Sequence, residues 1–275
     1  MRKGLLLRVG IDLGSDTGGD LGPIFQDGRF EYIPILGWPH VETEKYCEHQ
    51  SRESNRKFGS HWSDFLREDL GEQKFHFDPI FDDSWTYGEC PTKPEKRCKN
   101  CLPTPKMRAL MELQEDDLLV FTAGLKNWPE TQNSPHHVYI IGYLQVREKI
   151  PFFALNENKT NEYIQKYKRQ LVKNAHVIEQ EQYPESKSLE SSVVVIGKEY
   201  PKSRLLTRAI KISEFDKDSA ERRLRVVGKQ VLGYDGKTRD WTEILGFSGS
   251  IQRSVPRRIK PPYIGTLEKE LETVY

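Results

Sequence analysis

Two strongly apolar runs, a short loop apart near the middle of this chain, constrain its fold more than any other feature. Asp117-Leu118-Leu119-Val120-Phe121 ends in Ala123-Gly124-Leu125. After a loop containing Pro and Asn comes Val138-Tyr139-Ile140-Ile141-Gly142-Tyr143-Leu144-Gln145-Val146. β-branched and aromatic residues dominate the second, and both have strand lengths, so two β-strands are predicted.

The flanking sequence adds further elements. Leu5 to Ile11 reads as a buried strand, followed by a glycine-rich turn through Gly14, Gly18, Gly19 and Gly22. Asp27-Gly28 marks a tight turn before Phe30 to Ile35, which alternates as a half-buried strand does. Residues 38 to 56 are polar and irregular. Phe58, Trp62, Phe65, Leu66 and Leu70 share one helical face. Thr104-Pro105 opens a second helix, a capping residue with proline at the first helical position. A third spans 160 to 173, with Tyr163, Ile164, Tyr167, Leu171 and Val172 inward. Ser192 to Gly197 and Ala209 to Ile212 are strands, a charged helix is expected at 217 to 226, and a helical tail starts at Thr266. No repeat or linker divides the chain. The expected class is α+β, a mixed, curved sheet or PUA-like partial barrel with flanking helices. Residues 1–275 are read as one domain carrying a cysteine-bearing excursion at about 89–102.

Composition narrows the function classes. Hydrophobic residues make up 36% of 275, with 12 Tyr, 12 Phe and 5 Trp, enough to close a core. Basic and acidic residues nearly cancel, at 42 against 41, so only a local patch could attract nucleic acid. The apolar N-terminus is interrupted by Arg8 and Asp12 and lacks an export cleavage site. No stretch approaches the ~18 apolar residues that cross a bilayer. Three of the four cysteines fall within Cys90–Cys101, which fits a reducing compartment, by default the cytoplasm.

Four segments could carry chemistry. Gly10-Ile11-Asp12-Leu13-Gly14-Ser15-Asp16-Thr17-Gly18-Gly19 looks like the phosphate-holding turn of the actin and sugar-kinase superfamily, with Asp12 on a metal. A polar glycine loop between strands is the favoured reading, since a proline follows and the turn does not open a helix. Cys98-x-x-Cys101 has the bite of half a zinc knuckle, with Cys90 as third ligand and Cys47 or His49 closing a structural zinc site. Free thiols or a disulfide are the alternatives. Phe75-His76-Phe77-Asp78 through Trp85-Thr86-Tyr87-Gly88 mixes rings, a histidine and carboxylates. It can bind a metal or stack a base, or be core with capping aspartates. Ser248-Gly249-Ser250-Ile251-Gln252-Arg253-Ser254-Val255-Pro256-Arg257-Arg258 offers hydroxyls and guanidinium forks to phosphates, or is a solvated basic loop. His136-His137 begins a strand on opposite faces and cannot easily share one ion.

Several of these strings together resemble the third of the nucleotide-modification-associated domain families. They are Leu7–Asp12 with Gly22-Pro23-Ile24-Phe25, Asp27-Gly28, Phe30–Ile35, His76-x-Asp78-Pro79-x-Phe81 with Thr86-Tyr87-Gly88, Asp117–Leu125, Tyr139–Tyr143, Ser203–Leu206 and Ser248–Arg257. Thr122 stands where that pattern leads one to expect an aromatic, and the cysteine excursion is an addition to it. A weaker likeness links the central strands to barrels of the PUA and EVE type, which hold a flipped or modified base. The resemblance implies a setting in nucleotide modification with nucleic acid or a nucleotide as partner. The expected base site is Phe77, Trp85, Tyr87, Phe121 and Tyr143, with phosphates at Ser248, Ser250, Arg253 and Arg257. The alternative is a metal-dependent enzyme acting on nucleotides or modified bases through Asp12, His76, Asp78 and His176.

Overall fold

The computed structural model describes residues 1–11, 20–37, 44–52, 61–91, 96–97, 102–129, 136–215, 225–251 and 256–273. In chain order the first half gives β1 (Gly4–Arg8), β2 (Gly22–Ile24), β3 (Ile35–Leu36), β4 (Phe75–His76), β5 (Thr86–Glu89), α1 (Pro105–Met111) and β6 (Leu118–Asn127). Next come β7 (His137–Ile150), α2 (Glu157–Lys166), α3 (Lys168–Leu171), α4 (Ala175–Gln182), β8 (Val193–Gly197) and β9 (Arg204–Lys211). The C-terminal part adds β10 (Ser213–Phe215), β11 (Arg225–Val227), β12 (Val231–Leu232), β13 (Thr238–Arg239), α5 (Trp241–Leu245), β14 (Gly249–Ser250), β15 (Arg257–Ile259) and α6 (Pro261–Glu272).

β6 and β7 are the two apolar runs, and they pair antiparallel as the spine of a mixed eight-stranded sheet. Each flank of the spine is a lane built from two strands in sequence. Beside β6 run β1 and then β2, both parallel to it, with the glycine-rich segment inserted between them. Beside β7 run β8 and then β9, both antiparallel, joined by residues 198–203. β15 borders β1 and β5 borders β8, so the sheet is open and mixed, the α+β arrangement expected, and not a closed barrel.

The lanes bend where the registers slip, at Phe121/Thr122 against β7 and at Ile140/Gly142 against β9. A β-bulge turns the local backbone and re-aims side chains. Thr122 sits at this bend, fully buried, and its hydroxyl donates to the Leu7 carbonyl (3.1 Å). An aromatic ring there would lose that bond.

The main core lies on both sides of the spine. A second core gathers Ile11, Phe25, Ile33, Tyr46, Trp62, Phe65, Leu70 and Phe75. A third joins the far end of β7 and β8 to Tyr167, Leu171 and Val177. Of the helix expected at 58–70, Phe58 lies outside the described residues, and within the second core the remainder forms two short 3₁₀ turns, Trp62–Phe65 and Glu68–Leu70. His61 and Asp64 form a capping box, and the chain turns away at Leu66, which is extended. The apolar spacing was right, but so short a segment buries its rings one turn at a time. The strand expected over 30–35 survives as an isolated pairing of Phe30 with Ile24 and as β3. Of the charged helix at 217–226, residues 217–224 lie outside the described residues, and Arg225–Val227 is β11. The helix at 160–173 breaks at Tyr167 into α2 and α3. The tail helix begins at Pro261, five residues before Thr266. Among the described residues no helix is long and apolar enough to cross a membrane.

Candidate functional site

Residues 75–89 fold back on themselves over one face of the spine. Ile80 and Thr86 exchange both backbone hydrogen bonds (2.8 and 3.2 Å), closing residues 81–85 into a loop. Asp83 and Trp85 in that loop have φ of 32° and 51°, the left-handed region that side chains seldom adopt. The loop lays Phe81 on Gly142, where an added Cβ would come within 2.6 Å of the ring. Phe81 and Tyr87 both pack on Phe121, at 5.4 and 5.3 Å between centroids.

Asp78 lies just before this loop. Its Oδ1 accepts from the Gly88 N–H (2.8 Å), and its backbone carbonyl accepts from the Tyr32 hydroxyl (2.9 Å). Its Oδ2 faces His176 Nε2 at 3.8 Å. Sequence places His176 there through α4, which Asn174 caps by accepting from the His176 N–H (3.1 Å). His176 Nδ1 is 2.9 Å from Ser188 Oγ, while Nε2 has no hydrogen-bond partner among the described residues. Gly88 is required between the two, because a Cβ there would lie 2.8 Å from Nε2 and collide with the ring carbon beside it.

Both side chains are nearly dry, 8% and 9% exposed. Burial pushes the Asp78 carboxyl up to about 7, and the His176 charge and the Gly88 N–H offset it only in part. The carboxyl therefore takes up its proton far more readily than an exposed aspartate. Beside it, Glu89 accepts from the Tyr87 hydroxyl (2.8 Å) and pairs with Lys106 (2.9 Å). Such a cluster of partly buried titratable groups can bind a polar edge and move a proton.

The face of the sheet opposite Phe121 carries Arg204 and Arg257. Directly paired residues share a face, and Leu6 pairs with both Arg257 and Val120, Val120 with Tyr143, and Tyr143 with Arg204. Phe121 belongs to the next row, with Leu7 and Gly142. The structure thus brings Tyr87 to Phe121 on one side and sets Tyr143 and Arg257 on the other, while Asp78 sits along β5 with His176 on the Gly88 side of that strand, away from the Tyr87 ring. Arg257 lies over the Phe247 ring (5.3 Å) and donates to the Ser248 carbonyl (3.1 Å). Ser248 is exposed and Ser250 half-buried in β14. Arg8 donates to the Ile251 carbonyl (3.2 Å), tying the end of β1 to this segment.

Phe121 and Tyr87 are fully packed and Trp85 and Phe77 are half-buried, Phe77 against the second core. Asp12, Cys98, Cys101 and Arg253 lie outside the described residues, as does the His76 side chain, whose backbone pairs with Ile35 in β4. Cys47 donates to Glu72 (3.5 Å), whereas Cys90 is buried beside Ser188 (4.0 Å) and burial pushes its thiol up to about 12. The two cysteines thus have different neighbours, and no group of three metal-ligating side chains occurs among the described residues.

Comparison with known proteins gives one match, to the family described as nucleotide modification associated domain 3, over residues 3–256. The chain belongs to this family. No curated protein and no solved structure matches it. Asp78, Gly88, His176 and Ser188 all fall within the matched span. Ser188 carries no signal in the sequence that points to the site, since it is 110 positions from Asp78 and one serine among many.

Proposed function

We propose that this protein handles nucleotides or the bases of nucleic acid, and that the Asp78–His176 pair exchanges a proton with the bound base. The observation that carries the reading is Asp78 Oδ2 facing His176 Nε2 at 3.8 Å, the carboxyl raised by burial to about 7 and the nitrogen without a hydrogen-bond partner among the described residues. Membership of a family associated with nucleotide modification supports nucleotides as the substrate class. A carboxyl that takes up its proton near neutral pH can offer a donor as well as an acceptor to the edge of a base, and suits general acid or base work there. Gly88 and Tyr32 hold Asp78, and Asn174 and Ser188 hold His176, so the pair is positioned before a ligand arrives. The reducing cytoplasm is the compartment in which the free thiols of Cys47 and Cys90 would persist.

A second reading is recognition without chemistry, with phosphates at Ser248, Ser250, Arg253 and Arg257. It is favoured by the Arg257 guanidinium, which is stacked on Phe247 yet still part-exposed at the sheet edge. The test compares wild type, Asp78→Asn and His176→Gln with single- and double-stranded DNA and RNA, with and without modified bases, across pH and salt. The proton-exchange reading expects binding or base conversion that changes around pH 7 in wild type and loses that dependence in both variants. Identical pH profiles in all three proteins would overturn it in favour of the phosphate edge.

A further inference from the structure

The far ends of β6, β7 and β9 meet the hairpin β12–β13 around a cavity of about 270 Å³, lined by Asn127, His137, Tyr139, Lys211, Leu232 and Tyr234. None of these residues belongs to the Asp78–His176 centre. We propose that this cavity takes a single nucleobase bearing a 5′-phosphate, stacked on Tyr234 with its polar edge toward Asn127 and its phosphate toward Lys211. The ligand class rests on the nucleotide reading above, but the site stands on its own geometry.

Tyr234 is set in place rather than merely left exposed. Its ring rests on Gly28, whose φ of 85° and missing Cβ allow the contact, since a Cβ would come within 3.0 Å of the ring. The turn below is fixed by Gly28 N–H to the Phe25 carbonyl and Ala209 N–H to the Gly28 carbonyl, both 2.9 Å. The Tyr234 hydroxyl lies near that of Tyr139, which is buried in β7. One side of Tyr234 is therefore supported while 41% of the residue stays open, as a stacking platform requires. Leu232 on the same hairpin is 61% exposed and flanks it with apolar surface.

Around the platform the polar groups match a nucleotide. The Asn127 amide, exposed at the end of β6, presents a donor and an acceptor side by side, the pattern that pairs with a base edge. Lys211 lies opposite Tyr139 in the β7–β9 ladder, and its pairing with Glu214 (3.0 Å) is partly exposed and can yield to a phosphate. Arg29 pairs with Asp27 in the supporting turn, and the Arg208 charge also acts on that carboxylate. The volume is below the ~300–1,000 Å³ of sites for drug-sized ligands, which suits one base better than a large cofactor. The other cavity, about 250 Å³ beside Tyr143, is lined by Glu268 and Glu272, and their carboxylates oppose an anionic ligand.

The same chemistry is offered by a free mononucleotide and by one unstacked base of a single strand, and the experiment separates them. Ligand-detected NMR would measure binding of the common ribo- and deoxyribonucleoside 5′-monophosphates, and of short single-stranded oligonucleotides, to the full chain. The variants are Tyr234→Ala and Asn127→Ala, the second at an exposed position where folding is safe. The expected result is saturable binding that weakens at least tenfold in both variants, with mononucleotides sufficient if the source is free nucleotide and oligonucleotides required if it is a strand. Nucleotide binding untouched by both substitutions would overturn the cavity and leave the nucleotide reading intact. Binding of neither probe by the wild type would overturn both.

Discussion

The two edges of the sheet hold their polar groups on different terms. Beside β5, Asp78 and His176 are about nine-tenths buried, and burial pushes the carboxyl up to about 7. At β15, Arg257 lies over Phe247 next to the exposed Ser248 and is itself partly open to water. Burial makes charge expensive and so makes proton affinity adjustable, whereas an exposed guanidinium keeps its charge and is screened by salt. The dry edge is thus suited to moving a proton and the wet edge to meeting a phosphate.

The comparison breaks first at Phe121. Its ring is fully buried between Phe81 and Tyr87, so Phe121→Ala should cost ~3–5 kcal/mol in urea unfolding. Arg257→Ala should stay within about 1 kcal/mol. A cost below ~1 kcal/mol for Phe121→Ala would mean the ring is available to a base instead of the core.

A pH series sharpens the contrast next. Asp78 is raised from 3.8 to about 7 on folding, so the folded state keeps a proton that the unfolded chain gives up. Its contribution to stability is fully present below pH ~4 and is lost as pH rises toward 7, by up to a few kcal/mol. Asp78→Asn should flatten that limb of the stability curve between pH 4 and 7, and an unchanged curve would contradict the shift. Gly88→Ala comes third. The new Cβ displaces His176, for an expected loss of ~1–3 kcal/mol together with altered imidazole NMR signals. Unaltered signals would mean that the pair is not packed as described. The smallest effect is at the wet edge, where Arg257→Ala should leave stability nearly intact and lower the salt slope of nucleic-acid binding by about one. An unchanged slope would remove Arg257 from the phosphate contacts.

Much of the sheet was legible in the chain because its strands are long or densely apolar. Leu118–Leu125, Val138–Val146 and Val193–Gly197 announce themselves by composition, and Thr104-Pro105 announces α1 by its cap, which accepts from the Met107 N–H. The short elements were not legible. Trp62, Phe65 and Leu70 have helical spacing but serve two 3₁₀ turns, because the second core rather than local propensity decides their backbone. The candidate site was half legible. Asp78 stood out beside its aromatic neighbours, and His176 could be named only as a candidate. Their meeting depends on Gly88 leaving room for the imidazole, a contact across 88 positions that no local pattern encodes. Tyr143 illustrates the converse. It lies two positions beyond Ile141 in a string that reads as one motif, yet strand alternation sends it to the face opposite Phe121.

The most direct test is a carbon-detected NMR titration of the Asp78 carboxyl, with and without a saturating single-stranded oligonucleotide. This account predicts a midpoint near 7 in the free protein, moved when the oligonucleotide binds. A midpoint near the ordinary 3.8, indifferent to the oligonucleotide, would contradict it.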